Sequence, residues 1–169
     1  VTTEFENVPA ASLNQLAQTL PVAPAGSAVA IAQDRAAEKA HFVRCGVPVA
    51  PHAVIETPEQ LAAVPADLLP GILKTARMGY DGKGQVRVKT PAELAAAWDS
   101  VGQVPCVLEK MLPLQLECSV IVARGADGAM VHLPVQRNLH RDGILAVTEV
   151  YEANLPPGLA LQAVIAAKS

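Results

Sequence analysis

The chain has 169 residues, with 13 Lys and Arg against 16 Asp and Glu for a formal net charge of −3, and it is 51% hydrophobic but only 3% aromatic. This length suits one domain or two small lobes with enough buried surface for a stable core. The near-neutral charge, the lack of a Lys/Arg-rich run and the scarcity of aromatic stacking platforms argue against a nucleic-acid partner. No apolar stretch reaches the roughly 20 residues that cross a bilayer and no basic leader precedes a short apolar core, so a soluble chain is expected. Cys45, Cys106 and Cys118 form no C-x-x-C pair and have Val43, Val107 and Val120 close by. They read as reduced core thiols of a cytoplasmic protein.

In chain order, residues 1–9 look like the end of a strand running into a loop. Residues 11–20 carry leucines at helical spacing, Leu13, Leu16 and Leu20, and the segment 21–26, with Pro21, Pro24 and Gly26, reads as a turn or interdomain linker. Asp34 stands where it can cap a helix over 35–44, with Ala36, Ala40 and Val43 on one face and Gly46 and Pro48 as the stop. An extended run over 47–55 follows. Thr57-Pro58-Glu59-Gln60 and Thr90-Pro91-Ala92-Glu93 share one design: a threonine N-cap, proline at the first helical position, and Gln or Glu at the third to close a capping box. Residues 72–74, 85–88 and 104–110 read as strands, so helices and strands alternate in a small α+β lobe.

From residue 116 the character changes. Strand-like runs over 116–124, 129–137 and 144–152 dominate, the first two joined by a tight turn at Gly125-Ala126-Asp127-Gly128. A second, mainly antiparallel lobe is predicted. Pro156-Pro157-Gly158 then opens an Ala/Leu-rich helix over 159–167. Both ends of the chain read as cuts through a larger protein.

The chemistry concentrates after Lys74, which ends an apolar run. Gly79-Tyr80-Asp81-Gly82-Lys83-Gly84-Gln85 is a loop whose three glycines let the backbone turn and approach a ligand closely, while Lys74, Arg77 and Lys83 supply charge for phosphate oxygens. The same residues also read as a basic hairpin, with Asp81-Gly82 turning into the alternating 85–89 strand. His41, His52 and His132 have no ligand-like spacing and read as helix-face, strand-end and strand residues, so no zinc site is expected.

Four motifs occur together: E-F-E-N-V-P at 4–9, Q-D-R-x-x-E-K at 33–39, G-Y-D-G-K-G-Q at 79–85 and N-L-H-x-D-G-I-L at 138–145. In this order they resemble the 5-(carboxyamino)imidazole ribonucleotide synthase family of the ATP-grasp superfamily, and the resemblance covers nearly the whole chain. It implies a partial ATP-grasp fold, α+β, divided as the end of an N-terminal nucleotide-fold domain with its linker (1–27), a first ATP-grasp lobe (28–112) and the start of a second lobe (113–169). It also implies an ATP-dependent carbon–nitrogen ligase of purine biosynthesis, in which ATP phosphorylates bicarbonate to carboxyphosphate for carboxylation of 5-aminoimidazole ribonucleotide. The family resemblance further implies a homodimer for the full-length protein.

The resemblance distributes ATP contacts over named positions. Lys74 would reach the phosphates, and Gly79, Tyr80, Asp81, Gly82, Lys83, Gly84 and Gln85 would close over them. Glu109, Lys110, Met111 and Leu112 would form the segment that contacts adenine, with a plain strand end as the other reading. Glu117 would accept hydrogen bonds from ribose hydroxyls, with a surface acid as its other reading. His140 would bond a phosphate or another polar group, or else be a histidine satisfied in a hairpin. The magnesium ligands are expected beyond Ser169, so the chain alone is expected not to turn over. Two other readings stay open: another ATP-grasp enzyme, such as biotin carboxylase or a formate-dependent glycinamide ribonucleotide transformylase, and a non-catalytic nucleotide-binding module.

Overall fold

The computed structural model describes residues 1–79, 83–141, 143–151, 154–156 and 158–169, and the chain divides into two compact units, Val1–Leu112 and Pro113–Ser169. Residues 1–9 form bends and a turn instead of the expected strand. An extended segment without a neighbouring strand leaves its backbone groups unpaired, and here other partners take them. The Val1 carbonyl accepts from the Ala23 amide at 3.0 Å, and the carboxamide of Gln33, only 7% exposed, donates to the carbonyls of Glu6 and Val8 at 2.5 and 2.6 Å.

Helix α1, Ala10–Leu16, stops short of the leucine spacing that predicts it, because Leu13 alone is buried while Leu16 and Leu20 are 40% and 48% exposed. Helix α2, Gly26–Ala32, has no side-chain cap, and nothing in its sequence announced it. Gly26 matters to it: a Cβ there would collide with Asn14 and with the Ala10 carbonyl of α1, so the glycine lets the two helices approach. Helix α3, Arg35–Arg44, is the one the sequence predicts, with Asp34 Oδ1 accepting from the Ala36 and Ala37 amides at 3.0 and 3.1 Å.

Four antiparallel strands follow: β1 His52–Ile55, β2 Gly71–Thr75, β3 Gln85–Val88 and β4 Cys106–Lys110, in the order β1-β4-β2-β3. Helix α4, Pro58–Ala62, and a 3-10 turn, Ala66–Leu68, connect β1 to β2, and α5, Pro91–Ser100, connects β3 to β4. The capping box predicted at Thr57 is complete. At Thr90 the hydroxyl accepts from the Glu93 amide at 3.2 Å, but the Glu93 carboxylate reaches one residue further back, to the Lys89 amide at 2.8 Å.

Alternate residues of a strand face opposite sides. On one side of this sheet Leu73, Cys106 and Leu108 join Ile55 and Val88 in a core with Leu94 and Trp98 of α5, whose indole N–H donates to the Val104 carbonyl at 3.0 Å. The other side carries Lys74, Val107 and Glu109, with α3 packed on β4.

In the second unit the first two predicted runs are each split in two. The strands are β5 Glu117–Ser119, β6 Val122–Arg124, β7 Met130–His132, β8 Gln136–Arg141 and β9 Ile144–Glu149, followed by α6, Leu159–Lys168. Strands β6 and β7 form a two-stranded ribbon around the predicted turn, whereas β5, β8 and β9 form a separate sheet in the order β5-β8-β9. Pro134, which has no N–H to donate to a ladder, lies between β7 and β8. The last predicted run, 144–152, is strand only to Glu149: Val150 and Tyr151 have left the ladder, and Glu152 lies outside the described residues. Every described strand pair is antiparallel, so the fold class is the α+β one expected.

The cysteine reading is corrected in part. All three are free, but only Cys106 is a core thiol, while Cys45 and Cys118 are half-buried. Burial pushes the Cys106 thiol up to about 11. Among the described residues no helix is long and apolar enough to cross a membrane.

Candidate functional site

Lys74 is the fourth residue of β2 and pairs with Val107 of β4. Glu109 lies two residues further along β4, on the same face, so the two side chains are diagonal neighbours within reach of long side chains. Lys74 Nζ stands 2.8 Å from Glu109 Oε2, and Lys39 Nζ, from α3, stands 3.0 Å from Glu109 Oε1. The three side chains are 22%, 17% and 12% exposed in the order Lys74, Glu109, Lys39. Desolvation pushes the Glu109 carboxyl up, but the hydrogen bonds and charges of Lys74 and then Lys39 outweigh it and hold the group below its ordinary value. The cluster Lys39–Glu109–Lys74 therefore carries two cations against one anion, a net positive patch on a partly desolvated sheet face.

Lys74 and Glu109 were both singled out in the sequence. Lys39 was not, although it ends the Q-D-R-x-x-E-K motif. Its link to Glu109 depends on α3 lying against β4, which no local spacing reveals.

The glycine loop leaves β2 immediately after this cluster. Tyr80, Asp81 and Gly82 lie outside the described residues; the flanking ones form the loop's stem. The Thr75 amide donates to the Gly84 carbonyl at 2.9 Å, and Gly84 has a φ of +72°. A Cβ at Gly84 would sit 2.5 Å from Thr75 Oγ1, so this position requires glycine for two independent reasons. Gly79 is also enclosed: a Cβ there would meet the Lys83 carbonyl and Thr75 Oγ1 at 3.3 Å and Arg35 Nη2 at 3.4 Å. Arg35, whose amide donates to the Ala76 carbonyl at 2.9 Å, thus brings a guanidinium to the loop stem. Arg77 turns elsewhere, to Gln33 Oε1 at 3.2 Å and toward Asp34 at 4.0 Å. Lys83 and Gln85 lie at the entry to β3.

A cavity of about 580 Å³ opens near the stem, lined by Asp34, Glu56, Thr75, Arg77 and Gly84 among mainly apolar neighbours. Neither Lys74 nor Glu109 lines it. Its wall carries the carboxylates of Asp34 and Glu56 beside the guanidinium of Arg77, so the two lysines of the cluster and this cavity are electrostatically distinct.

The segment Glu109, Lys110, Met111, Leu112 closes the first unit. The Lys110 amide donates to the Pro51 carbonyl and the Met111 amide to the Pro70 carbonyl, both at 2.9 Å. Those two amides are already satisfied within the unit. Leu112, 41% exposed, carries the next amide along the chain.

In the second unit Glu117 begins β5 opposite Asn138 of β8, and His140 lies two residues beyond Asn138. His140 Nδ1 is 2.6 Å from Glu117 Oε2. A carboxylate only accepts, so Nδ1 carries the hydrogen, and Nε2 is an acceptor on the neutral ring and a donor on the charged one. The same sheet carries a polar ladder that spacing did not suggest. Asn138 donates to Ser119 Oγ at 3.1 Å, Ser119 to Gln136 Oε1 at 3.2 Å, and Thr148 to Asn138 Oδ1 at 3.2 Å. These bonds fix the face on which Glu117 and His140 meet.

A family model for the ATP-grasp domain matches residues 40–168, and the chain belongs to that family. Within the family it is similar to N5-carboxyaminoimidazole ribonucleotide synthase of Pseudomonas aeruginosa, with 40% identity over 149 residues, 88% of this chain and 41% of that one. Among solved structures it resembles an ADP complex of N5-carboxyaminoimidazole ribonucleotide synthetase, with a TM-score of 0.88 and 34% identity over 98% of this chain and 44% of that one. It also resembles the Aspergillus clavatus N5-carboxyaminoimidazole synthase in complex with ADP and 5-aminoimidazole ribonucleotide, with a TM-score of 0.86 and 25% identity, covering 99% of this chain and 44% of that one. The chain spans less than half the length of these proteins.

Proposed function

We propose that this chain is the ATP-binding part of an enzyme that carboxylates 5-aminoimidazole ribonucleotide with bicarbonate, in a cytoplasmic step of purine biosynthesis. The observation that carries the reading is the Lys39–Glu109–Lys74 cluster beside a loop stem that demands glycine at Gly84. Phosphoryl transfer needs little covalent help; it needs neutralised oxygens and an aligned nucleophile. In this reading Lys74 and Arg35 neutralise phosphate oxygens. The loop, Gly79 to Gln85, covers them.

Adenine would be read by the backbone at the end of β4. Because the Lys110 and Met111 amides already donate to Pro51 and Pro70, the Leu112 amide is the donor we assign to the base. Glu117 would take ribose hydroxyls through the oxygen that His140 does not engage, and His140 Nε2 would meet a polar group of the nucleotide. Among the described residues no three His, Cys, Asp or Glu side chains are grouped to hold a metal ion. Magnesium would supply positive charge against the phosphate oxygens when bound, and a homodimer is the proposed assembly of the whole protein.

The activity is tested by phosphate release from ATP and magnesium in the longer protein that contains this sequence. Release that rises on adding 5-aminoimidazole ribonucleotide together with bicarbonate supports the reading. ATP hydrolysis indifferent to both would sink it, in favour of another ATP-grasp chemistry.

A further inference from the structure

Lys39 is a largely enclosed charge that no assigned role explains. Its side chain is 12% exposed, and lysines are rarely this enclosed unless paired. Its ammonium, one helical turn beyond Arg35, is 3.0 Å from Glu109 Oε1, while Lys74 holds Oε2 at 2.8 Å. Each carboxylate oxygen has its own lysine.

That division matters because Lys74 has two claims on it. A phosphate oxygen competes with Glu109 for the same ammonium. If Lys74 were the only partner, its turn toward a phosphate would strand a carboxylate that is 17% exposed, and an uncompensated charge in such surroundings is strongly unfavourable. With Lys39 on the other oxygen, the carboxylate stays neutralised whichever way Lys74 points.

We propose that Lys39 is a positioning residue: it holds Glu109 compensated, so that Lys74 is released to the phosphates of a bound nucleoside triphosphate. This rests on the ATP-binding reading above. Lys39 acts through Glu109 and Lys74 and does not itself touch the nucleotide. Its effect is therefore specific to ligands that bear phosphates.

The test compares affinities for ATP and for adenosine, by calorimetry or competition, in the chain and its variants, with circular dichroism to verify folding. A merely structural role would weaken both ligands together. Lys39→Met is expected to lower the ATP-to-adenosine affinity ratio about tenfold, the scale of one charge-assisted hydrogen bond. Lys39→Arg should keep the ratio near wild type. The double variant Lys39→Met/Glu109→Gln should recover it, because no carboxylate is left to hold Lys74 back. Should Lys39→Met fail to fold, Lys39→Gln, which keeps a donor without charge, reads the same ratio. An unchanged ratio in the neutral variants, or no recovery in the double variant, overturns the inference alone. A wild-type chain that binds no ATP overturns the ATP-binding reading and the inference with it.

Discussion

At the scale of single residues, Glu109 carries the clearest electrostatic signature. Its carboxyl is held below its ordinary value of 4.5, so the folded state releases this proton more readily than the unfolded chain does. The contribution to stability is complete above the unfolded value, shrinks as pH falls below it and is gone once pH is below the folded value. Glu109→Gln should therefore destabilise the fold at neutral pH, by roughly 1.5–3 kcal/mol, the scale of a hydrogen bond to a charged group. Denaturant unfolding from pH 7 down to 3 should show the gap between variant and wild type closing below about pH 4.5. A gap that stays constant through that range would mean that the lysines do not stabilise the ionised form.

The glycines give a second prediction at this scale. Gly84 and Gly102 have similar φ values, +72° and +78°, but a Cβ would meet Thr75 at Gly84 and open space at Gly102. Gly102→Ala isolates the left-handed backbone penalty, about 1–2 kcal/mol. Gly84→Ala adds the collision and should be measurably worse in thermal unfolding. Equal losses would show that Thr75 yields without penalty. The positions of Lys74 and Glu109 on their strands were legible because an apolar run ending in a charge marks a strand end. The partnership with Lys39 was not, since it spans α3 and β4 and has no sequence period.

Elements divide by how local their causes are. Helices α3, α4 and α5 could be placed from the sequence because Asp34, Thr57 and Thr90 satisfy amides only two or three residues away. Thr90→Ala should accordingly destabilise by about 1 kcal/mol, with Thr90→Ser close to neutral, in chemical denaturation. A neutral Thr90→Ala would assign the helix start to Pro91 and tertiary packing instead. Helix α2 escaped because Ala25 offers it no cap and its start depends on the approach of Gly26 to α1. The strand-like runs of the second unit were legible as extended chain, but not their division, because which sheet a strand joins is decided by its hydrogen-bonded neighbour. The Glu117–His140 pair follows from the β5–β8 register, so it too became visible only in three dimensions.

Across the whole molecule, burial is unequal. The first unit holds a contiguous core around Leu73, Leu94, Trp98 and Leu108. In the second, Leu155 is the one buried hydrophobic side chain among the described residues, while Ile144, Leu145, Tyr151 and Leu161 are each at least 50% exposed. Local stability follows buried contacts. Hydrogen exchange should therefore be slowest for amides of β2 and β4 and markedly faster for β8 and β9; equal protection would refute that ranking. The phosphate chemistry is assigned to the better-packed unit, whose rigid sheet can hold Lys74 and Glu109 in place before any ligand arrives. Calorimetric titration of ATP into the chain and into Lys74→Met tests that assignment most directly. The expected result is ATP binding by the wild type, weakened at least about tenfold by loss of the ammonium. Equal affinity in the two proteins, or no binding by the wild type, would contradict it.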